Sequence, residues 1–286
     1  MIDPGIDYMD GQGTVAAGGD QAVAPGSLKG KVALVTGSTS GIGFGIAAAM
    51  AEAGADIVLN GLGQARDIDS LTASLADRHS VRVRFDGADM SKPAQIRAMV
   101  ETTEQNFGRL DILVNNAGIQ HTAAIEEFPD DRWDAIIGIN LSAAFHAIKA
   151  SLPGMRARGW GRVLNIASAH GLVASAHKAG YVAAKHGLVG LTKVVAIESA
   201  NTGVTCNAIC PGWVLTPLVQ KQIDAKAARE GISGEVASNG ILAEKQPMLR
   251  FSTPPQLGAL AVFLCSDAAA TITGTAMPMD GGWVAQ

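Results

Sequence analysis

The chain has 286 residues, of which 48% are hydrophobic and 17% charged. This composition supplies enough apolar material for a sizeable core and excludes disorder over most of the chain. The formal net charge of −4 excludes a strongly basic chain, which nucleic acid or an anionic membrane would favour, so we expect a small-molecule partner and neither of those.

Residues 1–27 are rich in Gly, Ala, Asp and Gln and lack apolar periodicity, which predicts a flexible N-terminal extension before one domain over residues 28–286. The first residues, Met-Ile-Asp-Pro, lack the basic and apolar regions of a secretory signal. Apolar runs elsewhere end well short of the roughly 20 residues that span a bilayer. We therefore expect no transmembrane helix and a cytoplasmic location.

From Lys31 onward the chain alternates between short apolar runs and helix-like segments. The first unit is the run Val32–Val35, a glycine-rich turn and a helical stretch over 42–53. Buried strands that alternate with helices are typical of a parallel sheet covered on both faces. The sequence predicts an α/β fold, a doubly wound seven-stranded parallel sheet of the Rossmann type. The predicted strands are 32–35, 56–59, 81–85, 110–114, 162–166, 204–209 and 276–279, with Pro278 weakening the last.

The turn after the first strand is a candidate phosphate-binding site. It carries Gly37, Gly41 and Gly43, with Thr39 and Ile42 between them, just before the first helix. Backbone N–H groups and the positive end of a helix receive a pyrophosphate, and a Cβ would block that approach. The spacing is G-x-x-x-G-x-G rather than G-x-G-x-x-G, so a plain tight turn is the alternative. Its position in the first βαβ unit favours a nucleotide.

The residues after the second strand bear on the choice of cofactor. This strand ends in Asn60-Gly61-Leu62, without the acidic residue that would bind a ribose 2′-hydroxyl. A basic residue for a 2′-phosphate is missing there too, and we interpret Arg66 as a solvated residue at a helix start. The pattern favours NAD over NADP.

Tyr181 and Lys185 are candidate catalytic residues. They stand four apart, so on a helix they share one face. A neighbouring ammonium should lower the pKa of the phenol towards the working range, which makes Tyr181 the candidate proton acceptor. An ordinary amphipathic helix would show the same spacing. Here, however, Ser168 ends the fifth predicted strand, where ligands gather in open α/β sheets.

A long interruption from Thr216 to Thr253 separates the sixth strand from the next helix. It holds two charged helical patterns, over 218–230 and 234–244. A segment of this length between sheet elements indicates a mobile lid rather than a plain loop.

The three cysteines, Cys206, Cys210 and Cys265, are an odd number without the C-x-x-C spacing of a metal site. They are expected to be small buried hydrophobes in a reducing compartment, and no metal is expected.

Over residues 28–286 the chain resembles the short-chain dehydrogenase/reductase family in a set of motifs that occur in the family's order. These motifs are the turn 36–43, the segment 115–118, Asn140, Ser168, Tyr181 with Lys185, and Pro211-Gly212. The resemblance implies that Ser168 binds the reacting oxygen, that Tyr181 is the general acid and base, and that Lys185 binds the nicotinamide ribose. It further implies that Asn140 anchors a water, that Asp89 meets the adenine, and that Asn116 and Gly118 line the cofactor cleft. The implied cofactor residues are Gly37, Thr39, Gly41, Ile42, Gly43, Leu62, Asp89, Met90, Asn116, Gly118, Tyr181, Lys185, Pro211 and Val214.

Residues around this set suggest a small anionic substrate, which needs charge-assisted donors at one end and an apolar wall around a short carbon chain. Singly, each has a plainer explanation, such as a solvated lysine, a loop histidine or a packed tryptophan. The candidate substrate residues besides Ser168 and Tyr181 are the donors Gln120, His170, Lys178 and Gln222 and the wall residues Trp213 and Trp283.

Within the family, segments 118–122, 168–175, 210–213 and 280–283 resemble the bacterial D-3-hydroxybutyrate dehydrogenases. This resemblance implies oxidation of a small hydroxy acid, D-3-hydroxybutyrate, to acetoacetate, with NAD as cofactor, a homotetramer, and a lid that delivers Gln222.

Two alternatives remain open. An NADP-dependent 3-oxoacyl-thioester or sugar reductase of the same family would usually carry a basic residue in the glycine turn, where this chain has Thr39-Ser40. A non-catalytic nucleotide-binding regulator would keep the fold alone, and the intact Ser168, Tyr181 and Lys185 argue against it.

Overall fold

The computed structural model describes residues 26–286. The predicted extension, 1–27, lies outside this range except for its last two residues, which belong to a turn over 26–30. Leu28 is 1% exposed, and its backbone N–H donates to the carbonyl of Ala53 at 2.8 Å. Residue 28 is therefore packed into the domain.

Within this range, seven strands form one parallel sheet in the order β3-β2-β1-β4-β5-β6-β7. The predicted fold class is confirmed, and the observed strand ends differ from the predicted ones by two residues at most. The strands are β1 Val32–Val35, β2 Asp56–Asn60, β3 Val83–Asp86, β4 Ile112–Asn115, β5 Gly161–Ile166, β6 Val204–Pro211 and β7 Ala276–Met279.

Helices cover both faces of the sheet. One apolar core joins α1 and α9 to one face, and a second joins α3, α5 and the end of α6 to the other. Two apolar faces explain why the central strands are continuous buried runs, with no inside-outside alternation. The helices are α1 Gly41–Glu52, α2 Ala65–His79, α3 Pro93–Phe107, α4 Asp130–Ile137, α5 Ala143–Ala157, α6 Ala179–Ser199, α7 Pro217–Glu230, α8 Gly234–Ala243 and α9 Pro254–Cys265.

Pro278 fits β7 because this strand is at the edge of the sheet. It pairs only with β6, with Pro278 opposite Cys210, so the missing N–H of proline costs no central ladder bond.

The strand order reverses between β1 and β4, which are neighbours in the sheet. The connections from these two strands diverge to opposite sides, which opens a crevice at their carboxyl ends. The glycine turn follows β1 and Asn116 follows β4, so the fold places both predicted motifs at this crevice.

One continuous helical run, Asp130–Ala157, is long and apolar enough to cross a bilayer by length and composition, and 44% of its most apolar window is buried in the fold. Its α5 part supplies Ala147, Ile148 and Met155 to the second core. Packing inside the domain therefore accounts for its apolar side chains.

Candidate active site

Side chains from neighbouring strands hold the glycine turn in place. The amide of Asn116 donates to the carbonyls of Thr36 at 2.9 Å and Gly37 at 2.8 Å. The Asn60 side-chain oxygen accepts from the Gly37 N–H at 3.3 Å, and the Thr36 hydroxyl accepts from the Asn116 N–H at 3.0 Å. Asn116, predicted to line the cofactor cleft, is thus also the residue that shapes the turn.

The glycines of this turn serve two different purposes. A Cβ on Gly37 would lie 2.8 Å from the Cα of Ala117, and one on Gly43 would lie 2.4 Å from the amide nitrogen of Asn116. These two glycines are required by packing of the protein against itself. Only Gly41, with φ +58° and Thr216 as its nearest neighbour at 3.6 Å, fits the predicted role of clearing space for a ligand.

The amino end of α1 opens on the crevice and fits an anion. Its N-cap residue, Ser40, makes no side-chain capping bond, and the first turn holds no acidic residue. The positive end of the helix is therefore available to an anion, while phosphate binding at this turn stays a prediction.

Four predicted cofactor residues lie away from the crevice lining. Leu62 is 88% exposed, and its carbonyl accepts from the Thr39 hydroxyl at 2.9 Å. Asp89 is exposed, and its carboxylate accepts from the Ser91 N–H at 2.8 Å, a bond that holds the pKa of Asp89 below its usual value. Met90 is buried in the second core, so only its backbone is available to a cofactor.

A cavity of about 740 Å³ runs from the glycine turn to the lid. It includes eight of the predicted cofactor residues, together with Gln120, Ser168 and Gln222 of the predicted substrate set. Gly43 and Val214 do not line it, since both are buried in the protein. The lining residues are Gly37, Ser40, Gly41, Ile42, Asn116, Ala117, Gly118, Ile119, Gln120, Ile166, Ala167, Ser168, Tyr181, Lys185, Pro211, Gly212, Thr216, Pro217, Leu218 and Gln222.

Tyr181 and Lys185 share one face of α6, as the spacing predicted, and both line this cavity. The ammonium of Lys185 lies 5.5 Å from the centre of the Tyr181 ring and donates to the carbonyl of Ile166 at 2.7 Å. Ser168 accepts the His170 N–H at 3.1 Å, and its side chain is also within hydrogen-bonding reach of Tyr181, which lowers the pKa of the phenol. Ser168, Tyr181 and Lys185 therefore line the same cavity.

The predicted lowering of the Tyr181 pKa by Lys185 was wrong for this geometry. Burial raises the pKa of Tyr181 above its ordinary value of 10.0, and the Ser168 side chain only partly opposes this rise. Lys185 sits against the ring and the Ile166 carbonyl, and burial lowers its own pKa to about 8. Desolvation is the largest cause of both shifts, and no attraction between Tyr181 and Lys185 contributes to either pKa.

Asn140 lies in a five-residue π-helical turn, Gly138–Ser142, between α4 and α5. Its buried side chain accepts from the Ile119 N–H at 2.8 Å and donates to the Ile119 carbonyl at 2.9 Å. A π-turn of this kind is frequent at functional sites. Here it fixes the backbone next to Gly118, while the implied water-anchoring role of Asn140 stays a prediction.

At the substrate end, aromatic rings form a continuous chain next to Tyr181. The His170 ring packs edge-on against Tyr181 at 5.9 Å and against Trp283 at 5.0 Å, and Trp283 stacks on Trp213 at 6.5 Å. The two tryptophans stack on each other, but they, His170 and Lys178 are not among the residues that line the cavity, and their contact with a substrate stays a prediction.

His170 does not carry charge at neutral pH. Burial, with help from the nearby Lys178 and Lys245, lowers the pKa of His170 to about 4, and its Nε2 lies 2.9 Å from the Ser175 hydroxyl. The predicted role of His170 as a donor to an anionic substrate stays a prediction, since a neutral imidazole keeps one N–H donor. The positive charge at this end comes from Lys178, at the start of α6, whose pKa is lowered by burial and raised by Glu244.

The sequence did not identify several residues that shape the site. Asn60 is fully buried and hydrogen-bonds to the carbonyls of Asp86 and Ala88 as well as to Gly37. The sequence signal for Asn60 was a polar residue at the end of an otherwise apolar strand. Lys245, beside Lys178, and Ser175, beside His170, carried no such signal. Among residues 26–286, no group of three or more His, Cys, Asp or Glu is placed to hold a metal ion.

The fold and this site define a Rossmann-type oxidoreductase with a tyrosine and lysine at the nucleotide cleft. Over residues 37–284 the chain matches the family described as Enoyl-(Acyl carrier protein) reductase. The chain belongs to the short-chain dehydrogenase/reductase family.

Curated relatives cover the whole matched region. A protein of Cupriavidus necator named D-beta-hydroxybutyrate dehydrogenase is 61% identical over 91% of this chain and 100% of the relative. A Rhizobium meliloti protein of the same name is 53% identical over 90% of this chain and 99% of the relative.

Among solved structures, L-sorbose reductase from Gluconobacter frateurii, complexed with NADPH and L-sorbose, superposes with a TM-score of 0.86 at 34% identity, over 91% of this chain and 98% of that one. The chain is thus an oxidoreductase that binds a nicotinamide cofactor and acts on a small molecule.

Proposed function

We propose that this enzyme oxidises D-3-hydroxybutyrate to acetoacetate, reversibly and with NAD as cofactor. The observation that supports this most is the aromatic chain beside Tyr181, where His170 contacts Trp283, Trp283 stacks on Trp213, and the charges of two lysines, Lys178 and Lys245, act on His170. A cation and a short apolar wall suit a carboxylate that carries a small carbon chain. The two relatives of 61% and 53% identity, both named D-beta-hydroxybutyrate dehydrogenase, point to the same substrate.

The chain's own residues supply binding, orientation and proton transfer. Lys178 and Gln222 bind the carboxylate, and the stacked Trp213 and Trp283 contact the methyl end. The O–H of Ser168 donates to the substrate oxygen as it becomes a carbonyl.

Tyr181 accepts the hydroxyl proton as the general base, and Lys185, whose ammonium lies 5.5 Å from the centre of its ring, lines the same part of the cleft. A nicotinamide cofactor held by the glycine turn, Asn116 and Lys185 would supply the acceptor for the hydride at C3 of the substrate. The balance is one alcohol and NAD⁺ on one side, and one ketone, NADH and a proton on the other.

The preference for NAD rests on the glycine turn and its contact with the residues after β2. The turn 36–43 contains no lysine or arginine, and Thr39 binds the Leu62 carbonyl instead of facing a phosphate. A 2′-phosphate would therefore lack a charge-assisted partner in this turn. We expect kcat/KM with NAD to exceed that with NADP by at least about tenfold, the worth of one such partner. Equal values, or a preference for NADP, would overturn this choice.

A homotetramer is supported by large apolar side chains that are exposed in residues 26–286. Phe145 lies on α5, Val194 and Ile197 lie on α6, Leu249 precedes α9 and Phe263 lies on it. Burial of such side chains between copies of this chain would form the interfaces of a tetramer. Light scattering should give about four times the chain mass of 29.3 kDa, and a monomer mass would contradict it.

A cytoplasmic location is supported by the cysteines. Cys206, Cys210 and Cys265 are all free and buried, and burial raises the pKa of each thiol to about 11 or 12. Such thiols suit a reducing compartment. Cell fractionation followed by immunodetection tests this, and enrichment with a secreted fraction would contradict it.

One assay tests the proposed reaction. NADH formation, followed by absorbance at about 340 nm, is measured with the D and L enantiomers of 3-hydroxybutyrate. The D enantiomer should be oxidised and the L enantiomer should serve as the unreactive control. A faster reaction with L-3-hydroxybutyrate, or with an uncharged secondary alcohol of similar size, would contradict the proposal.

A further inference from the structure

The side chain of Gln246, just after α8, is buried to 1% exposure and makes three hydrogen bonds. Its oxygen accepts from the backbone N–H of Trp213 at 3.2 Å. Its nitrogen donates to the carbonyl of Met248 at 3.2 Å and to the carbonyl of Arg250. One amide thereby joins the chain that enters the lid, at Trp213, to the chain that leaves it, at 248–250.

The segments that Gln246 joins also carry the substrate wall. Trp213 is the first tryptophan of the wall, and Trp283 follows the Gly281-Gly282 turn. The Met248 N–H donates to the Gly281 carbonyl at 2.9 Å, so the exit of the lid is bonded to the turn before Trp283. Gln246 therefore lies where the lid and both tryptophans converge.

Two glycines create the space for this side chain. A Cβ on Gly212 would lie 2.8 Å from the Gln246 oxygen, and a Cβ on Gly281 would lie 2.7 Å from its Cγ. The polar groups of the Gln246 amide are fully used within the protein, with none directed at a ligand. This arrangement suits a residue that acts through its neighbours.

We propose that Gln246 is a positioning residue that fixes both ends of the lid to the tryptophan wall and thereby sets the affinity for the substrate. The kinetic part of this proposal rests on the proposed function, because it uses 3-hydroxybutyrate as the substrate. The structural part does not, since it concerns coupling between two backbone segments.

The sharpest test is Gln246→Glu, which keeps the acceptor for Trp213 and removes the donor to Met248 and Arg250. The KM for D-3-hydroxybutyrate should rise about tenfold at pH 8, while the KM for NAD changes less than about twofold. Burial raises the pKa of the introduced carboxyl, so at pH 6 its protonated form donates again, to one of the two carbonyls. The ratio of variant to wild-type KM should therefore fall towards 1 as the pH is lowered.

Gln286→Glu is the matched control. Gln286 donates to the carbonyl of Lys245, the residue before Gln246, at 3.1 Å, but it does not bridge the lid ends. It should leave the KM within about twofold of wild type. Gln246→Met, which keeps the length of the side chain and loses all three bonds, should raise the KM at every pH without recovery at pH 6. Equal KM increases in Gln286→Glu and Gln246→Glu, or a KM ratio that does not change with pH, would overturn the proposal.

Hydrogen exchange gives a readout that needs no substrate. In Gln246→Met, segments 213–222 and 247–253 should both exchange at least about fivefold faster, while the α1 and β4 segments should stay at wild-type rates. Faster exchange in 247–253 alone would overturn the coupling. This result decides the structural part even if the wild-type enzyme fails to oxidise 3-hydroxybutyrate.

Discussion

On the sheet side of the cleft, three asparagine side chains hold the backbone through hydrogen bonds. They are the buried Asn60 at the end of β2, the partly buried Asn116 just after β4, and the buried Asn140 in the π-turn. On the lid side, residues 216–253 pack around a small cluster of Ile223, Ala237 and Ile241 and are joined to the rest mainly at their ends. We therefore expect the first region to keep its shape when a ligand binds and the second to move.

This contrast separates two tasks. The side that performs proton transfer needs fixed distances, because small displacements of reacting groups cost rate. The side that selects the substrate must open for entry and release, which favours a segment with few anchors. Changes on the sheet side should therefore affect kcat and cofactor binding, and changes at the substrate end should affect KM.

The largest effect should come from Tyr181→Phe, which removes the proton acceptor and keeps the ring. We expect kcat to fall about 10³-fold, within the range for a lost general base, with NADH binding changed less than about threefold. Stopped assays and fluorescence titration measure the two quantities. Tyr8→Phe, the same change at the chain's other tyrosine, is the control. Retention of more than about a tenth of kcat would remove Tyr181 from the proton transfer.

Lys178→Ala should produce the next largest effect. Loss of a charge-assisted partner costs about 1.5–3 kcal/mol, so the KM for 3-hydroxybutyrate should rise about 10- to 100-fold, while the KM for NAD stays nearly constant. Lys193→Ala, at an exposed position of the same helix, controls for general loss of charge. Equal increases in the two KM values would show that Lys178 does not contact the substrate.

Asn116→Ala should weaken the sheet side itself. It removes the donor to Thr36 and Gly37, and the two carbonyls lose a partner. We expect the Kd for NAD to rise about tenfold and the free energy of unfolding to fall by about 1–3 kcal/mol. Isothermal titration and urea unfolding measure these, with the exposed Asn201→Ala as control. An unchanged Kd would mean that the turn keeps its shape without Asn116.

Replacement of His170 should give the smallest effect, a change in how the free energy of unfolding depends on pH. Its pKa is about 4 in the folded protein, against roughly 6.5 in an unfolded chain, so the unfolded chain binds the proton first. Its contribution to stability is present above pH 6.5 and is lost as the pH falls towards 4. His170→Gln should therefore lose less stability than wild type between pH 7.5 and 5, as urea unfolding would show. A greater loss in the variant would contradict the neutral His170.

Much of this architecture was predictable because it rests on local patterns. The apolar runs located all seven strands, and charged helical repeats placed the lid helices within one residue of α7 and α8. The spacing of Tyr181 and Lys185 placed both on one helical face.

The remaining features depend on contacts between distant parts of the chain. Asn116 reaches Thr36 across 80 residues and Gln246 reaches Trp213 across 33, so neither bond has a local signature. The pKa directions of Tyr181 and His170 were also out of reach, because they depend on burial in the folded protein rather than on sequence neighbours.

The central claim is that one alcohol gives its proton to Tyr181 and its C3 hydride to a nicotinamide bound in the same cleft. The direct test is to supply D-3-hydroxybutyrate deuterated at C3 with NAD⁺ and to measure the mass of the reduced cofactor by mass spectrometry. The account predicts one deuterium in each NADH formed, together with a lower kcat/KM than for the unlabelled substrate. Unlabelled NADH with deuterium released to water, or no NADH at all, would contradict it.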